Sequence, residues 1–279
     1  MAEALAPPFD RPDAGFNSLP GWTWIGCYGG YYLQADLMGD FEHGFFTRQW
    51  NGRGPEVLAG YLSAGVSVHR PKQVHGNLVL GAHQALGDPW PEADGLVSGG
   101  GGQSLWVCGA DCTPVLIADP QSGRVAACHA GWRGVAGLIL ERAMGLLENA
   151  GSRRADLLVA LGPAIGGQAY QVERSVSEQI AAALTPKALT PKEDSPKARF
   201  SGEAIQALEA CGGLAADSKP GHDRLDIRLA TRRQLENLGI PSAQIAVCPL
   251  CTASEPLLFH SWRRDQVKAV QWSGIVSQA

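Results

Sequence analysis

The chain has 279 residues, a net charge of -4 and no long run of basic residues, which argues against a nucleic-acid partner. No stretch approaches the roughly 20 consecutive apolar residues that a membrane span needs, and the first residues lack the basic start and apolar centre of a signal peptide. We therefore expect a cytoplasmic protein with no membrane partner, and a monomer is the working expectation. The length and the lack of internal repeats predict a single domain.

Residues 1–20 are rich in Pro, Ala and Asp, and this composition predicts a poorly ordered leader before a domain over residues 21–279. The seven cysteines of the chain form an odd set without regular spacing. In a chain of this length they are better explained as reduced thiols than as a disulfide framework. Each thiol is therefore available as core filler, metal ligand or nucleophile.

The first half of the chain is dominated by short apolar or alternating runs between Gly, Pro and Asp residues, a pattern typical of strands. The predicted strands, of which the first two form a hairpin, cover residues 22–32, 33–37, 43–48, 78–80, 104–109, 114–118 and 124–128. A helix is predicted over residues 55–65, where a proline begins the segment, and the tetraglycine at 99–102 predicts a loop.

In the second half, apolar residues recur at helical spacing over residues 135–150, which predicts an amphipathic helix. The glycine-flanked segment Gly131–Gly134 is predicted to be a loop that leads into the helix N-terminus. Further helices are predicted at 172–184, 202–211 and 225–238, strands at 157–161, 245–247, 257–259 and 267–272, and an exposed loop at 185–197. Because strands and helices do not alternate regularly, the pattern favours an α+β fold over a doubly wound sheet.

Three potential metal ligands follow or end predicted strands: His75, Cys112 and His129. Two histidines and a cysteine match the three protein ligands of a catalytic zinc ion, whose fourth position is left to water or substrate. No short ligand pair such as HxxxH joins the three residues. The spacing alone therefore leaves the alternative of a buried cysteine and hydrogen-bonded core histidines open.

The other histidines and cysteines carry weaker signals. Cys248 and Cys251 form one CxxC without a second pair, which is insufficient for a structural zinc site. The remaining histidines are expected at the surface or hydrogen-bonded in the core, although His43 and His260 could line the pocket; they are His43, His69, His83, His222 and His260.

Several motifs, in a fixed order, resemble those of the laccase-domain family, also called the multicopper polyphenol oxidoreductase or peptidoglycan editing factor family. The motifs are QVHG (73–76), ADG (93–95), ADCTPVLIADP (110–120), HAGWRG (129–134), LGPAIGGQAYQV (161–172), CT (251–252) and FHSWRRD (259–265). The resemblance implies a single-domain α/β/β/α sandwich of two mixed sheets covered by helices. It also implies a zinc ion held by His75, Cys112 and His129, with copper as the alternative metal.

The sequence departs from the family pattern at two places. The segment between Arg48 and His75 is shorter than the family's usual stretch, and His260 and Trp262 stand where a Phe or a Tyr is more usual. These departures bear on substrate preference more than on the metal site.

The resemblance further implies an enzyme of purine nucleosides, with phosphorolysis of adenosine, inosine and methylthioadenosine and deamination of adenosine. Laccase chemistry fits the residues less well, because a four-copper oxidase needs more histidine ligands than seven histidines could supply. In addition, Met1, Met38 and Met144 lie in none of the motifs where an axial copper ligand would be expected. Polyphenol oxidation is kept as an alternative.

The two reactions require different groups beside the metal. Deamination needs water activated by zinc, which lowers its pKa toward about 7, and a proton shuttle, for which Asp111, Asp94 and Cys251 are the candidates. Phosphorolysis needs phosphate held against C1′ of the ribose, by guanidinium groups or by the backbone N–H groups of a helix N-terminus, with an aromatic ring for stacking. The candidates for substrate and phosphate binding are Arg48, Gly131, Trp132, Arg133 and Arg264.

Two other classes of function use the same residues. Cys112 and His129 could be the nucleophile and base of a cysteine hydrolase that edits cell-wall precursors. Alternatively, the chain could be a non-catalytic protein that binds a metal or a nucleoside.

Overall fold

The computed structural model describes residues 19–27, 30–184 and 197–278, without the side chains of residues 197–201. The strands are β1 (Trp22–Cys27), β2 (Gly30–Ala35), β3 (His43–Phe46), β4 (Ser67–His69), β5 (Val79–Gly81), β6 (Gly95–Val97), β7 (Gln103–Gly109), β8 (Thr113–Ala118), β9 (Val125–Ala130), β10 (Leu158–Leu161), β11 (Gln171–Glu173), β12 (Leu214–Ala216), β13 (His222–Leu225), β14 (Ile245–Val247) and β15 (Gln271–Val276). The α-helices are α1 (Pro55–Leu62), α2 (Trp132–Ala136), α3 (Ile139–Asn149), α4 (Arg174–Leu184), α5 (Lys197–Ala210), α6 (Ile227–Asn237) and α7 (Trp262–Asp265). None of the helices in these ranges is long and apolar enough to cross a membrane.

Two six-stranded mixed sheets form the centre of the molecule. The first has the order β1-β2-β3-β15-β7-β4, with β4 and β7 parallel and the other neighbours antiparallel. The second has the order β14-β10-β8-β9-β6-β5, with β10–β14 and β5–β6 as its parallel pairs. A small third sheet has the order β11-β13-β12.

The layers follow from side chains that alternate between the two faces of each strand. In β3, Phe45 packs between the two sheets, whereas Phe46 faces α1 on the outer side of the first sheet. In β8, Leu116 lies between the sheets, whereas Val115 and Ile117 pack with the helices on the outer side of the second sheet. Both faces of the central strands β3, β8 and β9 are buried, which explains why β8 and β9 are largely apolar runs.

The predicted α+β fold with two mixed sheets in an α/β/β/α sandwich is confirmed. The small third sheet is an addition, and its β11 and β13 take up the beginnings of two predicted helices, at 172–173 and at 225. The leader predicted over 1–20 and the loop predicted over 185–197 lie almost wholly outside the described residues.

Three local predictions are wrong. The helix predicted over 135–150 is two helices, α2 and α3, separated at Leu138, whose φ is 62°. As a result, most of the predicted loop Gly131–Gly134 is already the first turn of α2. The strand predicted at 257–259 is a turn, and the last strand begins at Gln271 instead of residue 267.

A buried ion pair joins the helical layer to the C-terminal segment. The Asp226 carboxylate accepts hydrogen bonds from the backbone N–H groups of Arg228 and Leu229 and thus caps α6. It also pairs with the Arg228 guanidinium at 2.7 Å. Arg228 Nη1 in turn donates to the backbone carbonyls of Cys248, Pro249 and Leu250. The pair therefore fixes the chain just before the segment that reaches the candidate site.

Replacing Asp226 with alanine should lower the free energy of unfolding by about 3 kcal/mol, because Arg228 would remain buried without its counter-charge and α6 would lose its cap. Urea unfolding of wild type and variant measures the difference. Asp156→Ala is the matched control, since Asp156 pairs with the exposed Arg153 and should cost less than about 1 kcal/mol. Equal losses in both variants would contradict a structural role for the buried pair.

Candidate metal centre and substrate cavity

Three segments bring His75, Cys112 and His129 to one end of the second sheet. Cys112 follows the tight turn between β7 and β8, in which Asp111 has a φ of 96°. His129 lies in β9 and pairs with Pro114 of β8. His75 lies in the connection between β4 and β5, at a φ of 58°. Such positive φ values are uncommon for residues other than glycine, so both turns are held in place by other contacts.

The potential ligand atoms of the three residues all lie within 4.8 Å of one another. The rings of His75 and His129 are nearly perpendicular, at 86°, with centroids 4.9 Å apart. His129 is buried, Cys112 is half-buried and His75 is exposed, so the group opens to solvent on the His75 side. Two imidazoles and a thiol at this spacing fit the donor set of a three-residue catalytic zinc site.

The buried carboxylate of Asp94 supports both histidines. Its Oδ1 accepts a hydrogen bond of 2.8 Å from His129 Nδ1, which leaves Nε2 of His129 as the free ligand atom. The same carboxylate accepts the backbone N–H groups of Val74, His75 and Gly76. A carboxylate behind a ligand histidine fixes the tautomer and the orientation of the ring.

The electrostatic state of the pair Cys112 and His129 is set by their mutual contact. Burial raises the pKa of the Cys112 thiol, but hydrogen bonds from His129 and His75 outweigh burial and lower this pKa to about 6. Burial lowers the pKa of His129, but the hydrogen bonds with Asp94 and Cys112 raise it to about 9. At neutral pH the thiolate is therefore the dominant form of Cys112, which is the form that binds metals.

Gly131 is required for close packing beside Cys112. A Cβ atom at this position would lie 2.9 Å from Cys112 Sγ, a distance that real Cβ atoms essentially never show. Glycine thus lets the chain pass from β9 into α2 against the thiol. This steric reason accounts for Gly131 without a ligand.

A cavity of about 320 Å³ lies beside the three residues and includes His75 and Cys112 in its wall. Its aromatic walls are Trp132, Tyr170 and Trp262, and Ile165 and Ile227 add aliphatic surface. Two arginines, Arg133 and Arg263, also line it. The cavity therefore combines apolar surface, two cations and the candidate metal centre.

Three of the five residues predicted to bind substrate or phosphate line the cavity, and two do not. Gly131, Trp132 and Arg133 are in its wall. Arg48 does not line it; its Nη1 donates to the carbonyl of Pro256. Arg264 does not line it either.

The five donors of Arg264 are used within the fold. Its guanidinium donates to the carbonyls of Thr252, Ala253 and Phe259 and pairs with Asp265. This arginine ties the 252–265 segment together. Its neighbour Arg263 takes the place in the cavity wall that was predicted for Arg264.

The proton-shuttle candidates are placed as follows. Asp111 lines the cavity, but its carboxylate accepts hydrogen bonds from the Thr252 hydroxyl and from the backbone N–H of Arg263, both at 2.7 Å. Cys251 is not in the cavity wall; its sulfur accepts the N–H of Gly166 at 3.1 Å. Asp94 holds His129, as described above.

Sequence reasoning missed Tyr170, Trp262, Arg263 and the two isoleucines as cavity residues. The first three lie inside the motifs LGPAIGGQAYQV and FHSWRRD, so the signal that could have found them was position within a motif. Ile227 lies in no motif and is brought in by the start of α6. Only the tertiary structure could identify it.

Two of the histidines expected to be structural, His43 and His69, form hydrogen bonds in the core. His43 accepts the N–H of Ala35 and contacts the carbonyl of Phe41, and His69 contacts Ser67 and the carbonyl of Ala82. Among the described residues, the group of His75, Cys112 and His129 is the one cluster that could hold a metal ion. Three potential ligands are the number that a single catalytic zinc ion takes from a protein.

The family of the chain follows from comparison with known proteins. Residues 56–277 match the family described as multi-copper polyphenol oxidoreductase laccase. The chain belongs to this family, which confirms the family resemblance drawn from the motifs.

Relatives within the family carry the names of purine nucleoside enzymes. The chain is 39% identical over 262 residues to the purine nucleoside phosphorylase slr1573 of Synechocystis, covering 92% of this chain and 97% of the relative. It is 33% identical over 177 residues to the purine nucleoside phosphorylase YlmD of Geobacillus stearothermophilus, covering 63% of this chain and 56% of that relative.

Two solved structures show the same fold. The crystal structure of YlmD from Geobacillus stearothermophilus aligns with a TM-score of 0.73 at 25% identity, covering 92% of this chain and 99% of that one. The YfiH protein of Bacillus licheniformis aligns with a TM-score of 0.72 at 24% identity, covering 91% and 99%. The second likeness concerns the fold alone.

If the three residues hold zinc, replacing Asp94 with asparagine should weaken its binding by about 10- to 100-fold, because the ring of His129 would lose its fixed tautomer and orientation. Competition with a chromophoric chelator measures the zinc dissociation constant. Glu92→Gln is the control, since Glu92 is an exposed neighbour that pairs with Lys72. Unchanged zinc affinity in Asp94→Asn would show that this carboxylate does not act through His129.

Proposed function

We propose that the chain is a zinc-dependent purine nucleoside phosphorylase whose metal is held by His75, Cys112 and His129. The observation that carries the proposal is the convergence of these three side chains, within 4.8 Å of one another, at a cavity with aromatic and cationic walls. The names of the relatives support the reaction, and the donor set supports zinc.

The cavity suits a small ligand with both apolar and polar parts. Its volume of about 320 Å³ is at the lower end of the range of roughly 300–1,000 Å³ that is typical of small-molecule pockets. Trp132 and Trp262 offer ring faces on which a purine base can stack. The exposed side of the cavity, where Trp262 lies, gives a nucleoside access from solvent.

In phosphorolysis a phosphate oxygen forms a bond to C1′ of the ribose while the glycosidic bond breaks, and the base leaves with the proton that the hydrogen phosphate loses. A bound zinc ion would supply a Lewis acid next to the reacting groups. The residues of the chain hold the ligand set in place, stack on the base and stabilise negative charge with their guanidinium groups. Asp94 is a positioning residue in this scheme, because it acts through His129.

Adenosine deamination is the second activity included in the proposal. It would replace the amino group of adenosine by oxygen from water, releasing ammonia and inosine, without a need for phosphate. It requires a group that carries a proton. Asp111 is the carboxylate in the cavity wall. Its two oxygens already accept hydrogen bonds from the Thr252 hydroxyl and the backbone N–H of Arg263.

A cysteine hydrolase is the competing function that a specific observation favours. The lowered pKa of Cys112 beside the raised pKa of His129 is the thiolate and imidazolium pair of such enzymes. The two functions differ in their dependence on metal. A phosphorylase of the kind proposed loses activity with a strong chelator and regains it with zinc, whereas a cysteine hydrolase is indifferent to both.

Zinc-loaded protein incubated with inosine, adenosine or methylthioadenosine should release free base only when phosphate is present, as followed by chromatography. Cys112→Ala should reduce the rate at least about 100-fold. Loss of a residue that only supports a metal ligand typically lowers metal affinity or activity about 10- to 100-fold, and loss of the ligand itself should cost more. Cys211→Ser is the control, since this cysteine does not line the cavity. Full activity in Cys112→Ala would contradict the assignment of Cys112 as a metal ligand. Formation of inosine from adenosine in the absence of phosphate would show the deaminase activity.

Zinc affinity should rise with pH in two steps. Zinc needs Cys112 as a thiolate and His129 as a neutral imidazole, and their pKa values are about 6 and about 9. Between these pH values one proton leaves His129 on binding, so affinity should rise roughly tenfold per pH unit; below about pH 6 a second proton makes the slope steeper. Chelator competition from pH 5 to 9 measures the slope, and a flat profile would contradict the proposed ligand pair.

A further inference from the structure

Two arginines in the cavity wall have no acidic partner among the described residues. The Arg133 guanidinium lies over the ring of Trp132, 4.4 Å from its centroid. The Arg263 guanidinium lies over the ring of Tyr170, 5.0 Å from its centroid, and donates one hydrogen bond to the carbonyl of Gln171. Most donors of both groups are therefore available to a ligand.

The Tyr170 hydroxyl lies in the field of both arginines. The pKa of this phenol is raised to about 12, and burial is the largest cause. The negative charges of Cys112 and Asp111 also raise the pKa, whereas Arg263 and Arg133 lower it. The phenol thus remains a hydrogen-bond donor at neutral pH. No hydrogen-bond partner is found for it in the described part of the chain.

The one carboxylate in the cavity wall does not occupy these cations. Both oxygens of Asp111 accept hydrogen bonds elsewhere, from the hydroxyl of Thr252 and from the backbone N–H of Arg263. The second of these bonds holds the backbone of Arg263 at the cavity. Asp111 therefore places an arginine there without consuming its guanidinium.

We propose that Arg133, Arg263 and the Tyr170 hydroxyl form a subsite for a tetrahedral oxyanion of the phosphate type. Planar guanidinium groups bind phosphate oxygens through paired N–H donors, and the phenol supplies an additional single donor. The inference deepens the proposed function and rests on it in one respect, because phosphorolysis requires phosphate beside the nucleoside. The same chemistry would accept inorganic phosphate or the phosphate ester of a nucleotide.

The test uses zinc-loaded protein and measures the dissociation constant of inorganic phosphate by calorimetry, independently of turnover. Arg133→Gln and Arg263→Gln should each weaken phosphate binding about tenfold or more, and Tyr170→Phe about fivefold. The KM for the nucleoside should change little. Arg142→Gln on the surface of α3 is the matched control and should leave phosphate binding unchanged. Melting temperature and zinc content verify that each variant is folded and loaded.

Two further arms identify the source of the phosphate. If inorganic phosphate binds to wild type and inosine 5′-monophosphate binds no more tightly than inosine, the subsite takes inorganic phosphate. If the monophosphate binds at least about tenfold more tightly, and this gain is lost in Arg263→Gln, the subsite takes the ester. Either result supports the oxyanion subsite.

The outcomes separate the subsite from the proposed function. If the variants lose phosphate binding but the wild-type protein releases no free base from any nucleoside, the subsite is supported and the proposed phosphorylase activity is overturned. Release of free base with unchanged phosphate affinity in all three variants overturns the subsite alone. Absence of phosphate and monophosphate binding in wild type also overturns it.

Discussion

The candidate site depends on the buried carboxylate of Asp94. Removing a carboxylate from water costs several kcal/mol unless its oxygens are satisfied, and here four donors satisfy them: three successive backbone N–H groups at 74–76 and the imidazole of His129. Burial raises the pKa of Asp94, but these hydrogen bonds outweigh it and keep the pKa low. One buried charge therefore fixes two of the three segments that carry candidate ligands, and it accounts for the positive φ of His75.

The third candidate ligand, Cys112, is held by a second carboxylate, which connects the site to the C-terminal segment. Asp111 precedes Cys112 in the tight turn after β7 and accepts hydrogen bonds from Thr252 and Arg263. The segment that follows Thr252 returns through α7 to β15, which pairs with β7 in the first sheet. The turn that carries the thiol and the wall that carries Trp262 are thus parts of one hydrogen-bonded unit. A displacement of either one would be transmitted to the other.

The irregular order of strands and helices predicted the α+β class, and His75, Cys112 and His129 were recognised as potential ligands beside predicted strands. The sandwich itself and the joining of the three residues at one zinc ion were implied by the resemblance of the motifs to the family. The sequence was insufficient to predict which way an individual side chain faces and where a helix is interrupted. Arg263 and Arg264 are adjacent, and no pattern of residue types indicates which of two neighbours in a single helical turn faces a cavity. Likewise, the apolar periodicity over 135–150 continues through Leu138, so it could not reveal the left-handed residue that divides α2 from α3.

The number of unused donors distinguishes an arginine that can bind a ligand from one that supports the fold. Arg264 directs its guanidinium to three carbonyls and a carboxylate, and Arg228 likewise uses three carbonyls and Asp226. A ligand would have to break existing bonds to recruit either group, so the gain from a new ion pair would be offset. Arg133 and Arg263 are stacked on aromatic rings, which restrains the planar group while leaving its edge N–H donors free. Stacking therefore orients a guanidinium for an anion without competing for it, and the arginines that line this cavity are held in that way.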